Sequence, residues 1–329
     1  MKWNAFDYIG GSIERTKNLL FPIKPKYWFK LAIVVLISNL AKNQGGNGGN
    51  SFRVPSRGKG LDNITGNAVS DLNNKFLSSN IPLIGFVILL LFILGLIINF
   101  ISSIFSFIFL EAVLDKKKQL FIKKSFSKNI HHGLSLFLFR ILLGIVSLVL
   151  IALIALPYIF AFFNKTITSP FFGVGIIYIL LTVLFIIILI IIIALITLFL
   201  YDFIIPEMYL KNKNMRTSWK SVLGKIGNNK MEVFIYIVAK IVLGIAAGII
   251  SALIALILLI PFIIIGLLAG VSLYLLAKAL SSLILTIFLV ILLIIFILFF
   301  VYLVTVVTLP IPLFFRYYSL DIYQKLMKS

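Results

Sequence analysis

Six ionisable side chains stand at the ends of otherwise apolar runs: Glu111, Asp202 and Glu207 at some ends, Lys30, Arg140 and Lys240 at others. Ionisable groups near hydrocarbon are costly unless paired or hydrated, and in membrane proteins they mark ion or substrate paths. If the runs cross a bilayer alternately, all six fall at similar depth as a membrane-embedded charge network. Their terminal positions favour a plainer expectation, in which Arg140 and Lys240 extend to the headgroups and the carboxylates pair with them or face water. Lys240, the eighth residue from Val233, is the strongest candidate for a functional charge.

Other residues carry weaker chemistry. Pro206 lies between Asp202 and Glu207, and Pro310 and Pro312 follow a long apolar run. Proline removes a backbone donor and frees carbonyls that transporters use as cation ligands, though its ordinary result is a helix stop. Gly244 with Gly248, and Ala247 with Ser251, have the spacing at which helices approach closely in lipid, with packing inside the protein as the default. His131-His132 lacks a spaced third ligand for a metal. Gly58-Lys59-Gly60 lacks the glycine spacing and hydroxyl residue of a phosphate-binding loop. With no cysteine, thiolate metal sites and cysteine catalysis are excluded. No zinc-protease helix, nucleophile elbow or dinucleotide fingerprint occurs. The expectation is a chain without an enzyme active site, cofactor or metal.

The elements that must position these residues are membrane helices. Of 329 residues 61% are hydrophobic and 12% charged, against about half and a quarter in soluble domains. Ile81–Leu110 and Leu134–Phe163 hold one charge between them, Arg140, and Phe171–Tyr201 and Leu283–Leu309 hold none. Runs of about 18 or more apolar residues cross the hydrocarbon core as helices, because no water is there to satisfy the backbone. The formal charge of +20 lies between and beside these runs, as at an anionic membrane surface, and leaves no soluble module for nucleic acid.

An internal repeat organises the runs. Arg140-Ile141-Leu142-Leu143-Gly144-Ile145 matches Lys240-Ile241-Val242-Leu243-Gly244-Ile245, and Ala152–Leu156 equals Ala252–Leu256. Such repeats betray symmetry-related helix pairs. The predicted fold is all-α, a polytopic bundle of about six spans in three pseudo-repeated hairpins. Residues 1–26 form a cytoplasmic amphipathic segment, without the uninterrupted apolar stretch of a cleavable signal. Residues 27–110 form the first hairpin, with a flexible Gly/Asn-rich outer loop at 42–80. Residues 111–210 and 211–316 form the second and third, and 317–329 a cytoplasmic tail. Tyr27–Ala41 spans only about 22 Å at helical rise, short for a crossing, whereas Ile81–Leu110 reaches about 45 Å and must tilt or protrude. Phe262–Ala277, after Pro261, is expected as a separate interfacial or re-entrant helix, since hairpin parity requires both its ends on one side.

Orientation follows from cations. Met1–Lys30, Glu111–Gly133, Lys211–Glu232 and Arg316–Ser329, with Arg140 and Lys240, hold 23 of the 30 Lys and Arg, and the opposite loops hold 7. The positive-inside rule then puts both termini in the cytoplasm. The triplets Asn63-Ile64-Thr65 and Asn164-Lys165-Thr166 fall in expected outer loops. Lys116–Lys128 and Arg216–Lys230 read as interfacial helices whose cations meet anionic lipid headgroups while Leu120, Phe121, Trp219 and Val222 enter the boundary region. The bilayer is the main expected partner, with a membrane protein partner or self-association beside it.

Ala5-Phe6-Asp7, Leu19-Leu20-Phe21-Pro22, Trp28 and Lys30-Leu31-Ala32, followed by a glycine–asparagine loop, resemble an uncharacterised archaeal multi-pass membrane-protein family, a domain of unknown function. Tyr201-Asp202-Phe203-Ile204-Ile205-Pro206, Ser218-Trp219 and Leu243-Gly244-Ile245 are similar to it too. The plan also resembles, more loosely, the membrane region joined to some glycerophosphodiester phosphodiesterases, whose catalytic domain has no counterpart here. The resemblance implies a helical fold and an archaeal plasma membrane and assigns no activity. A non-enzymatic membrane-organising or accessory role is the leading expectation, and a permease or channel-like transporter the alternative.

Overall fold

A computed structural model describes residues 5–40, 81–115, 120–163, 172–280 and 283–328. The 42–80 loop, both asparagine triplets and residues 116–119 of the first basic segment lie outside the described residues.

The described elements are all helices. A short 3₁₀ turn (Ala5–Tyr8) leads into α1 (Ile9–Leu20) and then α2 (Pro25–Leu40). The long helices α3 (Ile81–Leu114), α4 (Ile122–Phe163) and α5 (Phe172–Phe199) follow. A π-helical turn at Leu200–Ile204 joins α5 to α6 (Ile205–Lys211). Then come α7 (Met215–Asn228), α8 (Lys230–Leu280), α9 (Leu283–Val307) and α10 (Pro310–Lys328). Five helices are long and apolar enough to cross a membrane: α3, α4, the α5–α6 unit, α8 and α9.

Burial divides these helices lengthwise. The core gathers Leu31 and Val35 of α2, Ile104, Phe107 and Ile108 of α3, Leu136 of α4, Phe203 and Met208 around the π turn, Tyr236 of α8 and Tyr318 of α10. Away from this end the apolar side chains are exposed, as at Leu89–Leu91, Leu148, Ile190, Ile257 and Ile295. A helix apolar on every side belongs in lipid, where such exposure costs nothing. Soluble proteins rarely leave apolar patches this large to water. The packed end is therefore a folded cap, and the other end presents its helices to hydrocarbon.

The helix α3 is the hub, packing on both α2 and α4, while α4 touches α5 only slightly. Among the described residues α2 also packs on α9, and α8 on α9. Gly133 explains the α3–α4 contact: a Cβ there would stand 2.9 Å from the Ile104 Cα, so only glycine permits the approach. The repeated glycines behave otherwise. A Cβ at Gly144, Gly244 or Gly248 would meet nothing within 4 Å, which corrects the expectation that these positions pack inside the repeat.

A second correction concerns Phe262–Ala277. The structure runs α8 unbroken through Pro261 to Leu280, a helix of roughly 75 Å at helical rise. A proline interrupts one bond of the ladder, and in a nonpolar setting the remaining bonds keep the helix intact. Stacking of Phe262 on Phe296 of α9, with ring centroids 3.9 Å apart, holds this part of the helix in place.

Candidate charge cluster at the packed end

The local sequence around Asp202 builds an irregular turn. Pro206 has no N–H and would crowd the carbonyl four residues back in a regular helix. The chain widens instead to a π turn, a feature that recurs at functional sites. The Ile205 N–H reaches the Leu200 carbonyl, and Pro206, five residues after Tyr201, has no donor for the next carbonyl. Arg316 of α10 supplies one: its Nη1 donates to Tyr201 O at 2.5 Å. One irregularity thus connects α5, α6 and α10.

Beside that clamp, Lys240 ion-pairs with Asp202 Oδ2, and the Tyr236 hydroxyl donates to the same oxygen at 2.8 Å. Lys240 is 8% exposed and Asp202 4%. Of the two outcomes expected for Lys240, extension to the headgroups or pairing with a carboxylate, the structure shows the pairing, with Asp202 of the π turn. Arg140 lies on the other side of Tyr201. Its Nη1 donates to Ser103 Oγ at 2.9 Å and Asn99 Oδ1 at 3.4 Å, and its Nη2 to Ser106 Oγ at 3.3 Å and to the Tyr201 hydroxyl. Four neutral acceptors satisfy this guanidinium, and among the described residues no carboxylate lies within ion-pair distance of it.

The other two predicted carboxylates stand apart. Glu207 is fully buried and accepts from Tyr323 at 2.5 Å, Lys213 at 2.9 Å and Ser221 at 3.0 Å, with Lys211 at 3.0 Å. It ties α6 to α7 and α10. Glu111 meets Lys128 at 3.4 Å and Asn129 Nδ2 at 2.8 Å, fastening α3 to α4. Lys30 is exposed and pairs with no carboxylate among the described residues. The charge network expected at one depth is thus three separate groups. Asp202 and Lys240 are paired, with Arg140 one tyrosine away, and Glu207 and Glu111 each sit in their own cluster.

Sequence reasoning missed Arg316, Tyr236, Tyr318 and the Arg15–Asp321 pair between α1 and α10. The available signal for Arg316 was a cation flanked by aromatics, Phe314 and Phe315 before it and Tyr317 and Tyr318 after it. Burial lowers the Arg316 pKa to about 10, while Asp202 and Tyr201 favour its charged form. Burial raises the Asp321 carboxyl, opposed by Arg15 and Ser12. Of the paired histidines, His132 lies 3.0 Å from Asn212 Oδ1. Asn212 closes α6 in the left-handed region at φ 49°, a conformation asparagine tolerates. Among the described residues no group of three His, Asp or Glu gathers as a metal site.

The arrangement can hold charge and fix helix positions. No curated protein and no solved structure matches the chain. The family of unknown function DUF7544 matches residues 3–329, essentially the whole chain, and the protein belongs to that family.

Proposed function

We propose that this is a non-enzymatic membrane-organising or accessory protein of an archaeal plasma membrane, with its basic cap on the cytoplasmic leaflet. The observation that carries the reading is the use made of the amphipathic helices. Val222 of α7 is fully buried, Trp219 stacks beside Phe139 at 5.7 Å, and Phe126 meets Phe105 at 6.3 Å. Much of these apolar faces serves the cap rather than the bilayer, although Phe121 and Leu223 are exposed. The cations they carry, Lys123, Lys124, Arg216, Lys220 and Lys230, remain exposed beside the bases of the apolar helices. Such a rim attracts anionic headgroups or an acidic membrane partner.

Six crossings with both termini inside fit this arrangement. The contact of α1 with α10 supports an even number of crossings between them. In this reading α2, packed on α3 and α9, is the sixth crossing beside the five long helices. Crosslinking in native membranes, combined with mass analysis of retained lipid, tests the role. Selective enrichment of anionic lipid or capture of one specific partner is expected. Bulk lipid alone, with no partner, removes the basis of the proposal.

A permease is the second reading, favoured by the Asp202–Lys240 pair at a proline-linked π turn. Solute flux in liposomes that Lys240→Leu abolishes would support it, and absence of flux in both proteins would dismiss it.

A further inference from the structure

The packed end holds more positive than negative charge. Lys240 is neutralised by Asp202, Glu207 is engaged by Lys211 and Lys213, and Asp321 by Arg15. Arg140 and Arg316 remain without a carboxylate within ion-pair distance among the described residues. An uncompensated cation in a poorly hydrated site, as Arg316 is at 6% exposure, is costly even after relaxation, and the half-buried Arg140 bears part of the same cost. A neutral carbonyl and hydroxyls offset only part of that.

Two donors in the same region are unused. Arg316 is 6% exposed, and its Nε–H has no hydrogen-bond partner among the described residues. The Tyr318 hydroxyl, on a fully buried side chain two residues along α10, has none either. Both residues lie within electrostatic reach of Asp202. The Tyr318 ring is 5.5 Å from that of Tyr236, whose hydroxyl binds Asp202. Buried donors without partners are uncommon in native proteins and point to a bound species. Water would satisfy either donor but leaves both guanidinium charges unbalanced. An anion answers both deficits.

We propose that a single anion occupies the packed end beside the Arg316 Nε–H and the Tyr318 hydroxyl, compensating the excess charge of Arg316 and Arg140. Its chemistry is that of a compact acceptor, either a small inorganic ion or the phosphate of an anionic lipid headgroup. Arginine and tyrosine donors suit such an acceptor, and charge-assisted bonds of this kind are the stronger ones. The site is independent of the organising role, since an anion can be a permanent structural occupant.

The test uses the full-length protein, delipidated in neutral detergent with gluconate as the only anion and ionic strength held constant. Chloride, inorganic phosphate and a short-chain phosphatidylglycerol are titrated separately while thermal unfolding is followed. A saturable rise in Tm with at least one of them is expected. Tyr318→Phe, which keeps the ring, raises the half-saturating concentration about tenfold, the loss expected for a hydrogen bond to a charged acceptor. Arg316→Lys, which keeps a charge and loses the Nε donor, weakens the response relative to its own baseline. Lys26→Ala, an exposed position in the first turn of α2, leaves it unchanged. Saturation by chloride or phosphate identifies a solution ion, and saturation by the phospholipid alone identifies a headgroup. An equal, non-saturating response to every salt, or identical titrations for wild type and Tyr318→Phe, overturns the proposal and leaves buried water in the site.

Discussion

Replacing Lys240 by Met strands the Asp202 carboxylate among Tyr236, Phe203 and the π turn, where little water reaches it. Breaking one side of a buried pair costs about 3–5 kcal/mol, whereas replacing both partners is often nearly neutral. Lys240→Met should therefore lower thermal stability strongly in detergent, and Asp202→Asn/Lys240→Met should recover most of the loss. Two equally damaging single substitutions with no recovery in the double variant would show that the pair is not the unit. Asp321 gives a pH dependence of opposite origin. Burial outweighs Arg15, whose half-exposed side chain is screened by solvent. A carboxyl raised in the folded state contributes stability while protonated and loses it as pH rises through its folded pKa. Protection of α1 backbone amides should accordingly increase as pH falls below neutrality toward that raised value. Asp321→Asn should flatten the profile. The sequence revealed the ionisable residues and their polar context in chain order. It could not reveal the partners, because Tyr236, Arg316 and Tyr323 come from distant segments and carry no spacing signature.

At the scale of the helices, Gly133 and Gly244 give opposite expectations from the same residue type. Gly133→Ala forces the α3 and α4 backbones apart at Ile104, and overpacking of this kind costs about 1–3 kcal/mol. Gly244→Ala meets open space and should leave thermal unfolding unchanged. Equal effects at the two positions would refute the close-approach account. The repeat made Gly144 and Gly244 conspicuous in the sequence, while Gly133, the glycine that admits a neighbouring helix, stands outside it. Chain order also hid the behaviour of α8. A proline in an apolar run reads as a boundary by its chemistry, yet the backbone of a helix surrounded by hydrocarbon has no alternative partner and continues. The amphipathic segments were legible by period, but period alone does not say whether lipid or protein covers the apolar face. For α7 it is protein, because Phe139 of α4 lies across Trp219.

For the molecule as a whole, apolar run length identified the helical class directly, since the absence of water in a bilayer leaves few structures open to such runs. A likeness to a domain of unknown function was legible too, and one such family covers nearly the entire chain. The central claim is that lipid surrounds the apolar ends of these helices and that the basic cap faces the cytoplasm. The chain contains no cysteine, so single cysteines can be introduced without background and probed in intact cells with a membrane-impermeant maleimide. Cysteine at Lys17 and at Lys325 should be labelled only after permeabilisation, and cysteine at Asn63 without it. Labelling of Lys17 and Lys325 on opposite faces, or recovery of the protein in the soluble fraction, would contradict the account.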